Sequence, residues 1–574
     1  MKGNLWKAVA ALVVLTMLVS SLAACGPTPE PTKAPEPTAA AGETKAPEPT
    51  TPPEPAEKKI VTFAWTQEPD SMNWVYSNMW FSSILQQLWH CWAWEFDDSN
   101  KPFPRLVTEL PSIENGGVSE DGLVVTMHLR DDIVWSDGTP ITADDFVFTY
   151  DMIMDEANVV ASQYPYDYLD SVEAPDERTV VMTFAEPFAP WQSLFWRGVM
   201  PKHILQPVYD AEGSIQEAAW NLEPTVGCGP YNFAEWQSGS FMRFEKNLNY
   251  WDGEAKIDEI YLKFVPDDAA QTAALIAGDA DLGTFPPLSD VPSLKDGGLE
   301  IMVQSSGYAE GLFFNFRDVA SPGAQDVKVR QAVAMAIDRE AINRDLLLGL
   351  THAPETLWDP LAAYGYVSPD IQPWKYDPEA AKSLLEEAGW TDTDGDGIRE
   401  NADGEKLTLV HGTTIREIRQ DNQAVLQQQL KAVGIDLQLL SQDADIFFGS
   451  YSDGAPCAVG DVDIMEWSDS TAFPDPDDYY WLCSELPDDE NPWGANYFGC
   501  DQTLNDLLLE QLTIIDTAER AKVIQEVTKL IHEQVYWYGL WDDPDYWIVS
   551  PRLSGVKFSG VTPFFNIIDW DVVE

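Results

Sequence analysis

The sequence predicts a mixed α/β protein divided into two or three lobes. Positions 57–574 are too many for a single hydrophobic core, so the chain must split. Period-2 apolar runs alternate with runs of helical period along most of that length, which predicts strands interleaved with helices. The stretch 123–150 shows both periods side by side. Leu123, Val125, Met127 and Leu129 alternate with Val124, Thr126, His128 and Arg130 as a strand with one buried face. Ser136-Asp137-Gly138-Thr139-Pro140 makes a turn. Thr142 then caps a helix whose first turn carries Asp144 and Asp145 at the positive end of the dipole.

The first 56 residues stand apart from the fold. Lys2 and Lys7 flank a basic start, 8–22 is apolar but too short to span a bilayer, and Leu22-Ala23-Ala24-Cys25-Gly26 resembles a bacterial lipoprotein box. This predicts a signal peptide over 1–24 and lipid on Cys25, leaving the protein anchored to the outer face of the cell membrane and not spanning it. Segment 25–56 repeats Thr-Lys-Ala-Pro-Glu-Pro-Thr at 32–38 and 44–50 and has almost no bulky apolar side chain, so it reads as a disordered tether. About 30 such residues reach roughly 90 Å.

From there the elements follow in order. A first strand covers 59–65 and a helix 84–94, with Leu85, Leu88, Trp89 and Trp92 on one face. Strands are predicted at 180–184, 257–264, 312–316, 435–437 and 547–549, and helices at 269–277, 377–390, 418–433 and 504–536. Asp326 caps a helix whose Val329, Val333 and Ile337 form a buried stripe. Asp377, Pro378 and Gly389 sit where a helix cap, N1 and terminus want them.

Net charge is −61, from 34 basic and 95 acidic residues, which excludes nucleic acid as a partner. Catalytic patterns are lacking. The six histidines, His90, His128, His203, His352, His411 and His532, form no pair at metal-ligand spacing, and no Gly-x-Ser-x-Gly elbow or phosphate loop occurs. An acidic secreted hydrolase using a pair of carboxylates stays open as a rival class.

Six cysteines bear on an oxidising compartment. With Cys25 acylated, Cys483 and Cys500 flank a short loop-rich stretch and are expected to pair, stabilising by about 3 kcal/mol. Cys228 is expected to pair with Cys457, leaving Cys91 a buried thiol. The run 392–403 has calcium-loop spacing: Asp392, Asp394 and Asp396 at positions 1, 3 and 5, Gly397 at 6, Ile398 at 7 through its carbonyl, Glu400 at 9 and Asp403 at 12. Position 12 is the shorter Asp, and strand-like 407–409 follows in place of a second helix. The alternatives are a structural calcium or a solvated Asp-Gly turn; no cofactor is expected for function.

Leu129-Arg130, Trp135-Ser136-Asp137-Gly138-Thr139-Pro140 and Thr142-Ala143-Asp144-Asp145-Phe146 together resemble the marker of the family 5 extracellular solute-binding proteins, the peptide, dipeptide, oligopeptide and nickel receptors of ATP-driven importers. Val226-Gly227-Cys228-Gly229-Pro230-Tyr231, Asn247-Leu248-Asn249-Tyr250-Trp251-Asp252-Gly253 and 327–339 resemble family landmarks too, the first with Cys228 where the family usually has Thr. The resemblance implies a periplasmic-binding-protein-like fold, with two large lobes joined by a hinge and a smaller inserted subdomain. On this reading lobe I comprises 57–100, 226–318 and 541–574, the insertion 101–225 and lobe II 319–540.

The resemblance further implies a monomeric, non-enzymatic receptor that encloses a small solute, a peptide first of all, and delivers it to an ABC permease. An oligosaccharide or a metal chelate is the alternative within the same fold. In peptide-binding relatives an Asp after a Trp holds the peptide ammonium, which points to Asp469 after Trp467. Arg416 and Arg419 lie where dipeptide receptors place a carboxylate-binding Arg. Trp65 and Gln67, at the end of the first strand, and Tyr308, Trp467 and Phe473 are the candidate cleft walls.

Overall fold

A computed structural model describes residues 57–573 except 78, 360–364 and 471–478. The expected leader, the expected lipidation site Cys25, the expected tether and Phe473 lie outside these residues. Among the described residues, ten strands form one mixed sheet. Its order is Asp436–Gln442, Thr408–Thr414, Ile464–Ser470, Glu300–Phe314, Trp537–Val549, Leu282–Thr284, Ile60–Trp65, Glu259–Phe264, Phe241–Lys246 and Tyr231–Gln237. The two central strands, Glu300–Phe314 and Trp537–Val549, are much the longest and run antiparallel to each other.

Each of these two strands crosses from one hydrophobic core to another. Trp547 and Val549 pack in a core with Val61, Phe63 and Leu282, whereas Tyr538, Leu540 and Trp541 pack with Val329, Val333 and Leu426. On the partner strand Met302 borders the first core, Leu312 and Phe314 belong to the second, and Phe313 joins a third aromatic cluster with Trp467, Trp481 and Phe498. The ladder slips between Ser305 and Tyr308, where Gly307 takes φ +84°, and again between Glu310 and Gly311. Pro544, which has no N–H to give the ladder, stands opposite Ser305. The protein is thus a two-lobed α/β fold in which a paired strand with a built-in irregularity joins the lobes.

A separate three-stranded sheet, packed into the first core, carries the strand–turn–helix marker. Val124–His128 pairs with Thr179–Phe184, which pairs with Leu169–Asp176. Val125 and Met127 are buried and His128 is exposed, as the alternation requires. Gly138 turns the chain at φ +87°, and Asp145 Oδ2 accepts from the Thr142 N–H at 2.9 Å, closing a capping box at the start of Ala143–Met154. The helix Val327–Ala336 is capped by Asp326, whose carboxylate accepts from Lys328 N, and it buries Val329, Val333 and, just past its end, Ile337.

Several expectations are corrected. The helix expected at 84–94 is Trp80–Trp89. The chain then leaves the helix at His90 and forms the strand Trp94–Phe96, because the Trp89 carbonyl accepts from both Cys228 N and Gly229 N at 2.9 Å. That contact sets Cys91 beside Cys228, with Cα atoms 5.2 Å apart, and those two form the disulfide. Cys228 therefore does not pair with Cys457, which is buried in the third core while Cys228 lies in the first. Cys483 and Cys500 are bonded. The helical run 504–536 is two helices, Gln502–Leu512 and Thr517–Gln534, the second capped by Asp516 accepting from Glu519 N.

The Cys91–Cys228 bridge closes a loop with a sequence separation of 137. Replacing both cysteines by alanine should cost roughly 4 kcal/mol through the freed unfolded chain. Guanidinium denaturation of the double variant is the check, and an unchanged midpoint would contradict it.

Candidate functional site

A cavity of about 700 Å³ opens where the two long strands pass between the lobes. Trp80 and the segment Phe285-Pro286-Pro287-Leu288 line it from the first lobe. The strands themselves contribute Tyr308, Asp543, Asp545 and Tyr546, and the second lobe contributes Leu346, Leu347, Arg416, Glu417 and Asp421. Such a volume suits a small molecule or short peptide. Its walls belong to both lobes, so a bound solute contacts both only when they approach each other.

Behind the cavity lies a buried polar network on one face of the sheet. Arg419, on the helix Glu417–Lys431, donates to Glu310 Oε1 at 2.7 Å and Oε2 at 3.0 Å, and to Thr414 Oγ1 at 2.8 Å. Burial pushes the Glu310 carboxyl up and Arg419 draws it back down; the two-pronged geometry favours the charged pair. The Ser468 hydroxyl lies 2.7 Å from Glu310 Oε2 and 2.6 Å from Asp543 Oδ2, so one proton serves two carboxylates. Arg416 Nη1 is 3.3 Å from Asp543 Oδ2 and 3.8 Å from Glu310. Two residues further along the strand, Asp545 is buried, and its Oδ2 has no hydrogen-bond partner among the described residues. Burial and the neighbouring Asp543 push its carboxyl up to about 8.

The sequence-selected residues divide on this geometry. Tyr308, half exposed, and Arg416 both stand on the cavity wall. Trp65 does not: it is fully buried in the first core, its ring 4.9 Å from Phe81, because the first strand is central to the sheet and covered on both faces. Gln67 is exposed on the following loop, outside the cavity lining. Arg419 is engaged by Glu310 and Thr414 beneath the surface, which withdraws it from a solute carboxylate. Trp467 is stacked on Phe313 with centroids 4.1 Å apart, and it donates to Asp469 Oδ2 at 3.1 Å. Both lie on the sheet face opposite Glu466 and Ser468, beside the aromatic third core. Asp543 and Asp545 were not singled out from the sequence. Their one signal is Asp542-Asp543-Pro544-Asp545 inside an aromatic run, which reads as a loop.

The acidic run after the helix Pro378–Glu387 folds into a tight turn on the second lobe. Carboxylate oxygens of Asp392, Asp394, Asp396 and Glu400 converge within 4.8 Å of one another and could hold a metal ion. Asp403 is not in this group. Backbone N–H groups of Gly395 and Gly397 donate to Asp392, and that of Ile398 to Asp396. Lys406 pairs with Asp396. Glu400 is buried, with Oε2 taken by Thr393 at 2.8 Å and Oε1 left without a partner among the described residues.

Comparison with known proteins decides what this cleft belongs to. Residues 101–490 match the model of the bacterial extracellular solute-binding proteins, family 5. The chain belongs to this family. The oligopeptide-binding protein AppA of Bacillus subtilis is 27% identical over 510 residues, spanning 88% of this chain and 90% of that protein. The AppA structure in complex with a nonapeptide superposes with a TM-score of 0.63 at 25% identity, covering 90% of this chain and all of that one. NikA from Brucella suis in complex with Fe(III)-EDTA gives 0.73 at 19% identity, over 90% of this chain and all of that one, a likeness of fold. The family 5 protein described here is accordingly the extracellular or periplasmic solute-binding component of an ABC importer. It is a transport receptor, and it catalyses no reaction.

Asp545 yields a pH-dependent test. In the unfolded chain its carboxyl ionises near pH 3.9, and in the folded one at about 8. Between those values the folded state holds the extra proton, so this group makes stability fall as pH rises through the window. Asp545→Asn removes that slope. The variant should melt above the parent at pH 8, with the gap closing toward pH 4; parallel melting curves at both pH values would contradict this.

Proposed function

We propose that this protein is a lipid-anchored receptor that captures a peptide-like solute in the interlobe cavity and delivers it to a membrane permease. The observation that carries the reading is the cavity itself, walled by both lobes and by the two strands that join them. Closure around a solute is then a population shift, driven by contacts made to both walls only in the closed form. The similarity to an oligopeptide-binding protein over nearly the whole chain supports peptide as the solute class. A metal chelate is the second reading, supported by the NikA likeness, whose ligand is Fe(III)-EDTA. The box ending at Cys25 supports the anchor, and the Pro-rich repeat after it supports a tether long enough to let the receptor sample solvent.

Thermal-shift screening of peptide, glycan and metal-chelate pools tests the solute class. A solute at a hundredfold its Kd stabilises by about 2.7 kcal/mol. Peptide pools should raise the melting temperature where glycans do not; a response to chelates alone would replace the first reading by the second.

We further propose that the cluster Asp392, Asp394, Asp396 and Glu400 holds a structural calcium, with the Ile398 carbonyl as the fifth protein ligand. The orphaned Glu400 Oε1 supports this, because a buried carboxylate oxygen without a donor favours a cation. Lys406 would be displaced from Asp396 on loading. Millimolar CaCl2 should raise the melting temperature of the parent and leave Asp394→Asn/Asp396→Asn unaffected. Equal shifts for the two would remove the metal.

A further inference from the structure

We infer that the solute carries net positive charge and that Asp543 and Asp545 receive its ammonium or guanidinium group. This rests on the cavity being the solute site. Four carboxylates line it, those of Glu417, Asp421, Asp543 and Asp545, against the single guanidinium of Arg416. General surface acidity does not explain Asp545. It is 3% exposed, it stands on a central strand of the sheet, and its Oδ2 has no donor among the described residues. A buried carboxylate oxygen lacking a donor is destabilising, a cost that an incoming cation removes. Arg416 does not meet this need, being turned toward Asp543 and Glu310. Glu310 is already satisfied by Arg419, which sets it apart from Asp545.

The other walls favour the same ligand. Trp80 and Tyr546 present aromatic rings to the cavity, surfaces that attract a desolvated cation. Arg197 is a further cation beside this wall. It is close enough to Tyr308 to interact with it electrostatically, and it has no acidic partner among the described residues; burial lowers its pKa. One such group at the margin leaves the sign of the wall negative. The net charge of −61 adds long-range attraction for a cation and repulsion for an anion.

Cation binding has a proton signature. The titratable or charged groups around Asp545 are Asp543 and Tyr546 on its own strand, Tyr308 and Glu310 on the neighbouring one, and Arg416, Glu417 and Asp421 at the start of the helix; the first-lobe wall of Trp80 and residues 285–289 adds none. Below about pH 8 the empty cleft keeps a proton on Asp545. An arriving ammonium displaces that proton to solvent, so affinity rises with pH up to that point.

Titration calorimetry with trilysine, trialanine, triglutamate and spermidine at pH 7 tests the inference. Trilysine should bind at least tenfold more tightly than trialanine, and triglutamate more weakly than either. Asp543→Asn and Asp545→Asn should each weaken trilysine by tenfold or more, and weaken trialanine, which carries a single ammonium, by a smaller factor. A raised melting temperature of solute-free Asp545→Asn at pH 8 separates lost recognition from lost folding. If trialanine and trilysine bind alike, the charge inference fails while the peptide reading stands. If spermidine alone binds, and depends on the two aspartates, the charge inference stands and the peptide reading fails. If none of the four binds, both fall.

Discussion

The molecule depends on the ladder between Glu300–Phe314 and Trp537–Val549. Every other strand of the large sheet lies on one side or the other of this pair, and each of the two strands enters the first and second cores. Backbone hydrogen bonds hold the pair together at both ends. Between the ends the register slips twice, at Gly307 and near Gly311. A regular ladder through the crossing would resist bending. An interrupted one concentrates change in a few residues while the cores stay packed. Tyr308, Asp543 and Asp545 sit at the interruption, which is why the joining element is also the floor of the cavity.

Close packing at the second-lobe end of the pair sharpens this. Gly311 lies so near the Trp537 indole that a Cβ there would come within 2.3 Å of Nε1, and Gly539 lies against the Pro354 carbonyl at 2.2 Å on the same reckoning. The second-lobe end of the pair is thus clamped by an indole and a backbone carbonyl that leave room only for glycine. A tightly packed end next to an irregular stretch is the arrangement that hinge motion between lobes uses.

Much of this was legible in the sequence, and what was hidden was hidden for a reason. The strand–turn–helix marker, the capped helices at Asp326 and Asp377 and the Cys483–Cys500 bridge were readable because each is a local pattern. The long strands were not: Gln304-Ser305-Ser306-Gly307 and Asp542-Asp543-Pro544-Asp545 look like turns, and only pairing with each other makes them strand. Trp65 and Tyr308 are both large aromatics on strands of the large sheet, yet one is sealed in the core and the other walls the cavity. Arg416 and Arg419 differ by less than one helical turn, and that rotation leaves one half exposed on the cavity wall beside Asp543 and buries the other against Glu310. Burial of that kind is a tertiary property. The Cys91–Cys228 bridge spans 137 positions and follows from a backbone contact that no spacing rule contains.

With Cys91 and Cys228 joined, and Cys483 joined to Cys500, Cys457 keeps its sulfhydryl. It is 1% exposed, packed among Phe447 and Val462, and burial raises its pKa well above the usual thiol range. The nucleophile in disulfide exchange is the thiolate, which is scarce here and shut away from both crosslinks. An odd sulfur can therefore travel through an oxidising compartment without scrambling the crosslinks around it, its chemistry silenced by the hydrocarbon that surrounds it.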